Sequence, residues 1–178
     1  PYGESEWSDW QTFEVNLTTD AGSRTISGSI TYYGKIPATR IVVEAFASQF
    51  FDGVPESRVT LSLPATADPL KGTFTLGGLR PGAYAVRAYI DTTPAMSLGP
   101  NGSLDSWESR GFVKNNFSNS TDYAPEFIDL LNQRIQLERQ IVIRDNNTDN
   151  DELPDAWEMA YFGNLDQTGQ MDYDGDGI

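Results

Sequence analysis

From Trp10 to Asp91 the chain is a series of short runs in which apolar and polar residues alternate, each closed by Gly, Pro or Asp. "WQTFEVNLT" (10–18) sets Phe13, Val15 and Leu17 on one face, and "RTISGSITYYG", "ATRIVVEAFAS", "SRVTLSL", "GTFTLGGL" and "GAYAVRAYID" follow. A period of two places successive side chains on opposite faces of a strand, and the Val, Ile, Thr and Tyr content suits a pleated surface. Strands at this spacing, with no helical period between them, predict a mainly β chain built as an antiparallel β-sandwich. A later run, "RIQLERQIVIRD" (134–145), resumes the alternation through Ile135 and Leu137, then Ile141 and Ile143. The slip between Leu137 and Ile141 predicts a β-bulge.

Two segments interrupt this pattern. In "TDYAPEFIDLLNQ" (121–133), Phe127, Leu130 and Leu131 stand at helical spacing behind Pro125 and Glu126, which predicts a short helix. In "LPDAWEMAYFG" (153–163), Trp157 and Tyr161 are four apart and Gly163 supplies a stop, which predicts a second helix. The expected organisation is an arm over 1–9, a sandwich over 10–144 with a loop insertion at 91–133, and a separate acidic segment over 145–178.

Charge sets that last segment apart. Residues 145–178 carry ten carboxylates and no Lys or Arg, and so contribute −10 of the formal −14. Such a concentration repels itself unless cations neutralise it. No basic face exists for nucleic acid, and no run reaches the roughly 18 apolar residues of a membrane helix, so neither nucleic-acid binding nor membrane insertion is expected. The chain has no Cys and no His, which removes thiol chemistry, disulfides and imidazole-based triads. The acids are grouped by ligand spacing rather than as an isolated pair facing a cleft, and no enzymatic activity is expected.

The spacing is that of a calcium loop. Calcium takes six to eight oxygens, and a twelve-residue loop delivers them from positions 1, 3, 5, the carbonyl of 7, 9 and a Glu at 12. Starting the frame at Asn147 yields Asn147, Asp149, Asp151, the Leu153 carbonyl, Asp155 and Glu158. Starting it at Asp145 puts Ala156 at position 12, so Asp145 is a flanking group instead. Two departures stand out: Asn147 replaces the usual Asp, and Glu152 occupies the turn where glycine normally takes a positive φ. The stretch "MDYDGDGI" repeats the pattern with Asp172, Asp174, Asp176, Gly177 and the carbonyl of Ile178 as positions 1, 3, 5, 6 and 7. A second calcium ion is expected there, with the rest of its ligands supplied from outside this stretch.

An internal echo suggests a third site. "NGSLDSWES" (101–109) aligns with "DELPDAWEM" (151–159), matching Asn101 to Asp151, Ser103 to Leu153, Asp105 to Asp155, Trp107 to Trp157 and Glu108 to Glu158. Asp91, at the end of a predicted strand, is positioned to replace a missing ligand. The alternative is a capped turn carrying a core Trp.

Two stretches resemble known families. "TISGSITYYG", "IVVEAFAS" and "GTFTLGGLRPGAYAVRAYID" resemble the transthyretin-like (prealbumin-like) sandwich of carboxypeptidase regulatory-type domains, most specifically in the hairpin "LGGLRPGAYAVRAY" (76–89). The acidic segment is similar to the thrombospondin type 3 calcium repeats of bacterial surface proteins. Together the resemblances cover roughly residues 23–178. They imply a non-catalytic structural or adhesive module that stiffens with calcium, secreted and held at a cell surface. Two functions are expected: a subunit of an extracellular filament, surface layer or adhesive assembly, or an accessory module of a larger secreted enzyme or adhesin. For the first, a homo-oligomer or polymer would form by strand addition, through a segment such as "SDWQTFEVNLT", or through the C-terminal tail. Trp7, Trp10, Phe50 and Phe51 are candidates either for core or partner packing or for a carbohydrate-binding platform. Five Asn-x-Ser/Thr sequons, at Asn16, Asn101, Asn116, Asn119 and Asn146, are candidate glycosylation sites.

Overall fold

A computed structural model describes residues 22–34, 40–62, 69–91, 104–113, 125–132 and 135–168. The predicted strand at 10–18, both N-terminal tryptophans, Asn101, Ser103 and the "MDYDGDGI" stretch lie outside these residues. So do the sequons at Asn16, Asn116 and Asn119.

Two sheets face each other, and the chain is mainly β as its alternation predicts. One sheet has three strands in the order β4 (Leu70–Leu79), β1 (Arg24–Tyr32), β8 (Ile135–Ile143). The other runs β3 (Ser57–Ser62), β2 (Arg40–Phe46), β5 (Ala83–Ile90), β6 (Arg110–Phe112), with β7 (Phe127–Asp129) also paired to β5. Between the sheets, Ile26, Ile30, Phe74 and Leu76 meet Ile41, Val43, Val86, Ala88 and Ile90, all buried. Each such aliphatic side chain contributes about 1.5–3 kcal/mol relative to an exposed position.

Every pairing among these strands is antiparallel except β1 with β8, which is parallel. The bulge falls where the alternation slips. Ile26 pairs with Gln136 and Gly28 with Arg139, so β8 spends one more residue than β1 over this span. Glu138, inside it, has φ 63°. The bulge drives the β8 backbone towards Gly28, where a Cβ would lie 1.9 Å from the Arg139 carbonyl oxygen, so only glycine fits.

Two expectations need correction. The segment around Phe127–Leu131 is a strand, not a helix: Ile128 and Leu130 are buried while Phe127 and Leu131 are exposed, a period of two. It pairs with Ala83–Ala85, and the Leu130 N–H donates to the Gly82 carbonyl, so tertiary pairing outweighs local helical spacing. The Asp129 carboxylate then accepts from the Leu131 N–H at 2.7 Å and ends the strand as an Asx turn.

Second, "LGGLRPGAYAVRAY" is not a hairpin. β4 and β5 belong to different sheets, and Arg80–Gly82 crosses the sandwich, tied by the Tyr84 hydroxyl donating to the Arg80 carbonyl at 2.9 Å.

The outer face of the five-stranded sheet is covered as well. Val42, Glu44, Phe46 and Tyr89 are all buried there. Phe51 covers them, stacking on Phe112 at 5.3 Å and meeting Phe46 edge-on at 5.6 Å, while Phe50 stays exposed. Within this layer Arg58 and Arg87 bind the two Glu44 oxygens, and Arg87 lies over the Phe46 ring.

Candidate metal centre

The acidic segment begins where β8 ends and is stitched to the sandwich at its first residue. The Tyr32 and Ser109 hydroxyls both donate to Asp145 Oδ1. The Asn146 amide donates to the Ser106 carbonyl at 3.3 Å, and the Asn146 carbonyl accepts from the Asp155 N–H at 2.9 Å. That last bond closes the chain from 147 to 154 into a loop. Asp145 thus anchors the loop from its flank, outside the ligand cluster.

Inside the loop, short polar side chains set the backbone. Asn147 Oδ1 accepts from the Asp151 N–H at 3.2 Å, and Asp151 Oδ1 from the Leu153 N–H at 2.9 Å. Asn150 has φ 63° and Glu152 φ 80°, so Glu152 takes the left-handed turn that the frame reserves for glycine. This conformation costs a side-chain-bearing residue about 1–2 kcal/mol.

The helix α1 (Asp155–Tyr161) then carries Glu158 back over the loop. Its outer side is set by Trp157, which packs on Tyr161 at 4.8 Å and Phe162 at 5.4 Å. Gly163, at φ 74°, ends the helix as expected, its N–H donating to the Glu158 carbonyl.

The result brings Asp149, Asp151 and Glu158 together, with one carboxylate oxygen from each within 4.8 Å of the others. That is the span across a single cation holding oxygens at about 2.3–2.6 Å. Asp149 is exposed, Asp151 half-buried and Glu158 fully buried. Glu158 Oε1 accepts from the Gln167 N–H at 3.3 Å, while Glu158 Oε2 and Asp151 Oδ2 are buried with no hydrogen-bond partner among the described residues.

Burial pushes the Glu158 carboxyl above its usual range; Asp151 and Asp149 add to the rise, and the Gln167 N–H opposes it. A buried carboxylate without a compensating charge is costly, and a divalent cation among three such groups removes that cost.

The remaining predicted ligands are placed differently. Asp155 is not in the cluster: its two oxygens accept from Thr148, from the N–H at 2.7 Å and the hydroxyl at 3.0 Å. It holds the loop closed. Thr148 and Gln167 were missed by sequence reasoning, because neither falls on a ligand position of the twelve-residue frame.

Of the echo at 101–109, residues 104–109 are among those described. Trp107 is half-buried and Glu108 fully buried, as Trp157 and Glu158 are. Yet Glu108 Oε2 accepts from the Asp105 N–H at 2.9 Å, the reciprocal bond of a capping turn, and the buried Asp91 meets Arg40 at 3.2 Å. Among the described residues the three-acid group at Asp149, Asp151 and Glu158 does not extend to Asp91, Asp105 or Glu108.

No protein-family model matches the chain, and neither a curated protein nor a solved structure does.

Proposed function

We propose that the chain is a secreted, non-catalytic structural protein in which calcium orders the acidic segment against a β-sandwich. One observation carries this reading: the fully buried Glu158 presents an oxygen with no partner among the described residues beside Asp149 and Asp151, in a segment with no basic residue. Three carboxylates give oxygen-only, charge-rich ligation, which suits a hard cation and, at this span, calcium over the smaller magnesium. Bound calcium would neutralise the loop and stiffen the exit from β8, since Asp145 and Asn146 join both parts.

The structural role extends to assembly of copies into a filament, surface layer or adhesive array. β3 and β4 each pair with one strand among the described residues, which leaves sheet edges of the kind that accept an added strand. Light scattering and electron microscopy on the full chain, with calcium and with a chelator, test both parts. Calcium-dependent assembly is expected. A chain that binds calcium yet stays monomeric at high concentration retains the metal site and loses the assembly.

A further inference from the structure

The loop as folded is short of ligands. Asp155 would stand at position 9 of a twelve-residue frame, but its carboxylate is turned to Thr148, leaving three carboxylates for a cation that takes six to eight oxygens. Another residue sits against the same carboxylate from beyond the helix. The Gln167 N–H donates to Glu158 Oε1, which places Gln167 beside the cluster. Its side chain is buried at 8 % exposure, and its Nε2 donates to Asn164 Oδ1 at 2.9 Å. Asn164 Oδ1 also accepts from the Asp166 N–H at 3.1 Å, so the turn after the helix is itself braced. The other amide atom, Gln167 Oε1, is buried and has no hydrogen-bond partner among the described residues. A buried amide oxygen left unanswered costs free energy comparable to a lost hydrogen bond, and amide carbonyl oxygens are ordinary calcium ligands.

Building on the calcium reading of this loop, we propose that Gln167 Oε1 is a further ligand, supplied from outside the twelve-residue frame in place of Asp155. The site is then closed from two sides: the loop before the helix gives Asp149 and Asp151, the helix gives Glu158, and the turn after it gives Gln167. A neutral oxygen at this point completes coordination without adding to the repulsion among three carboxylates. Metal binding consequently orders residues 164–168 as well as the loop, and so sets the direction in which the chain leaves the helix.

Terbium luminescence on the full chain separates a ligand from a merely structural residue, because lifetimes in H2O and D2O count the water molecules on the ion. Calcium must first displace terbium from the unmutated chain; if neither ion binds, the calcium reading itself fails. With binding established, Gln167→Ala is expected to add one coordinated water and weaken calcium binding about tenfold, the worth of one hydrogen-bond-scale contact. An unchanged water count in Gln167→Ala overturns the proposal. Gln167→Glu provides the second arm. As a ligand, its carboxylate would tighten calcium binding without changing the water count. If Gln167 only braces the turn, losing the bond to Asn164 in both variants would lower stability alike in calcium and in chelator, with the water count unchanged.

Discussion

Glu44 and Glu158 are both buried carboxylates, and they are handled in opposite ways. Glu44, in the sandwich, has Arg58 and Arg87 on its two oxygens at 2.5 and 2.7 Å, with Tyr89 alongside bonded to Arg58 at 3.0 Å. Burial, and Glu44 after it, push the Tyr89 phenol up to about 12, so it remains a neutral donor and acceptor over the working range. The sandwich thus answers a buried negative charge with cations from its own strands. Glu158 has two more carboxylates for company and, among the described residues, only a backbone N–H as donor. A buried charge with its own cations is an internal joint, whereas the proposed role for one that lacks them is to receive a cation from outside.

The widest effect tests the first half of that contrast. Glu44→Gln removes the charge and leaves Arg87, whose side chain is 16 % exposed, facing a neutral amide. Breaking a buried pair costs about 3–5 kcal/mol, and the 43 % exposure of the Arg58 side chain puts this case near the lower end. Denaturant unfolding should show that loss equally with calcium and with chelator. A loss that calcium restores would mean that the two carboxylates are not independent.

Glu158→Gln is the opposite case. Calcium at a hundredfold excess over its dissociation constant stabilises the native chain by about 2.7 kcal/mol, and for a chain of this size that raises the melting temperature by about 5–11 °C. Glu158→Gln should abolish that rise and leave the chelated protein as stable as the unmutated one, or more so, because an uncompensated buried charge is gone. Equal destabilisation in both conditions would show that Glu158 is not a ligand.

The same pair separates by pH. The folded Glu158 carboxyl sits above its unfolded value of about 4.3, so across the window between the two the native state holds more protons than the unfolded one. The stabilising effect of that proton is fully present below the unfolded pKa and is lost as pH rises through the folded one. In chelator, stability attributable to Glu158 should therefore fall on raising pH across this window, and calcium should reverse the trend because metal and proton compete for the same oxygens. Melting curves for the unmutated chain and Glu158→Gln, each with and without calcium, isolate this dependence. An identical profile for both proteins in chelator would overturn it.

How much of this was legible in sequence follows from the range of each determinant. The strands β1 to β5 and β8 lie where alternation puts them, because a period of two with turn residues is a local signal. The bulge was legible for the same reason, as a slip between Leu137 and Ile141. The strand at Phe127–Asp129 was misread because Phe127, Leu130 and Leu131 satisfy helical spacing, while the pairing that decides the matter lies more than forty residues away at Ala83–Ala85. In the acidic cluster, Asp149, Asp151 and Glu158 are brought together, as spacing within one loop predicts. Asp155 falls on a ligand position, but spacing says which residues reach a point and not which competing donor meets them; here the Thr148 N–H and hydroxyl meet its two oxygens. Gln167 was invisible for want of any frame that includes it.

The smallest effect concerns the loop backbone. Glu152 holds φ 80°, a left-handed conformation that penalises a side chain by about 1–2 kcal/mol, and it is exposed with no bond from its carboxylate among those that shape the loop. Glu152→Gly relieves this strain at the cost of greater freedom in the unfolded chain, a net gain of about 0.5–1 kcal/mol. It also removes one negative charge beside three others, so the chelated protein should gain somewhat more than the calcium-bound one, in which the ion already screens that charge. Chemical unfolding in both conditions would read the gain. A loss of stability instead would mean that the Glu152 side chain contributes to the loop in a way that its left-handed turn conceals, and the division between a self-compensated sandwich and a cation-dependent loop would have to include it.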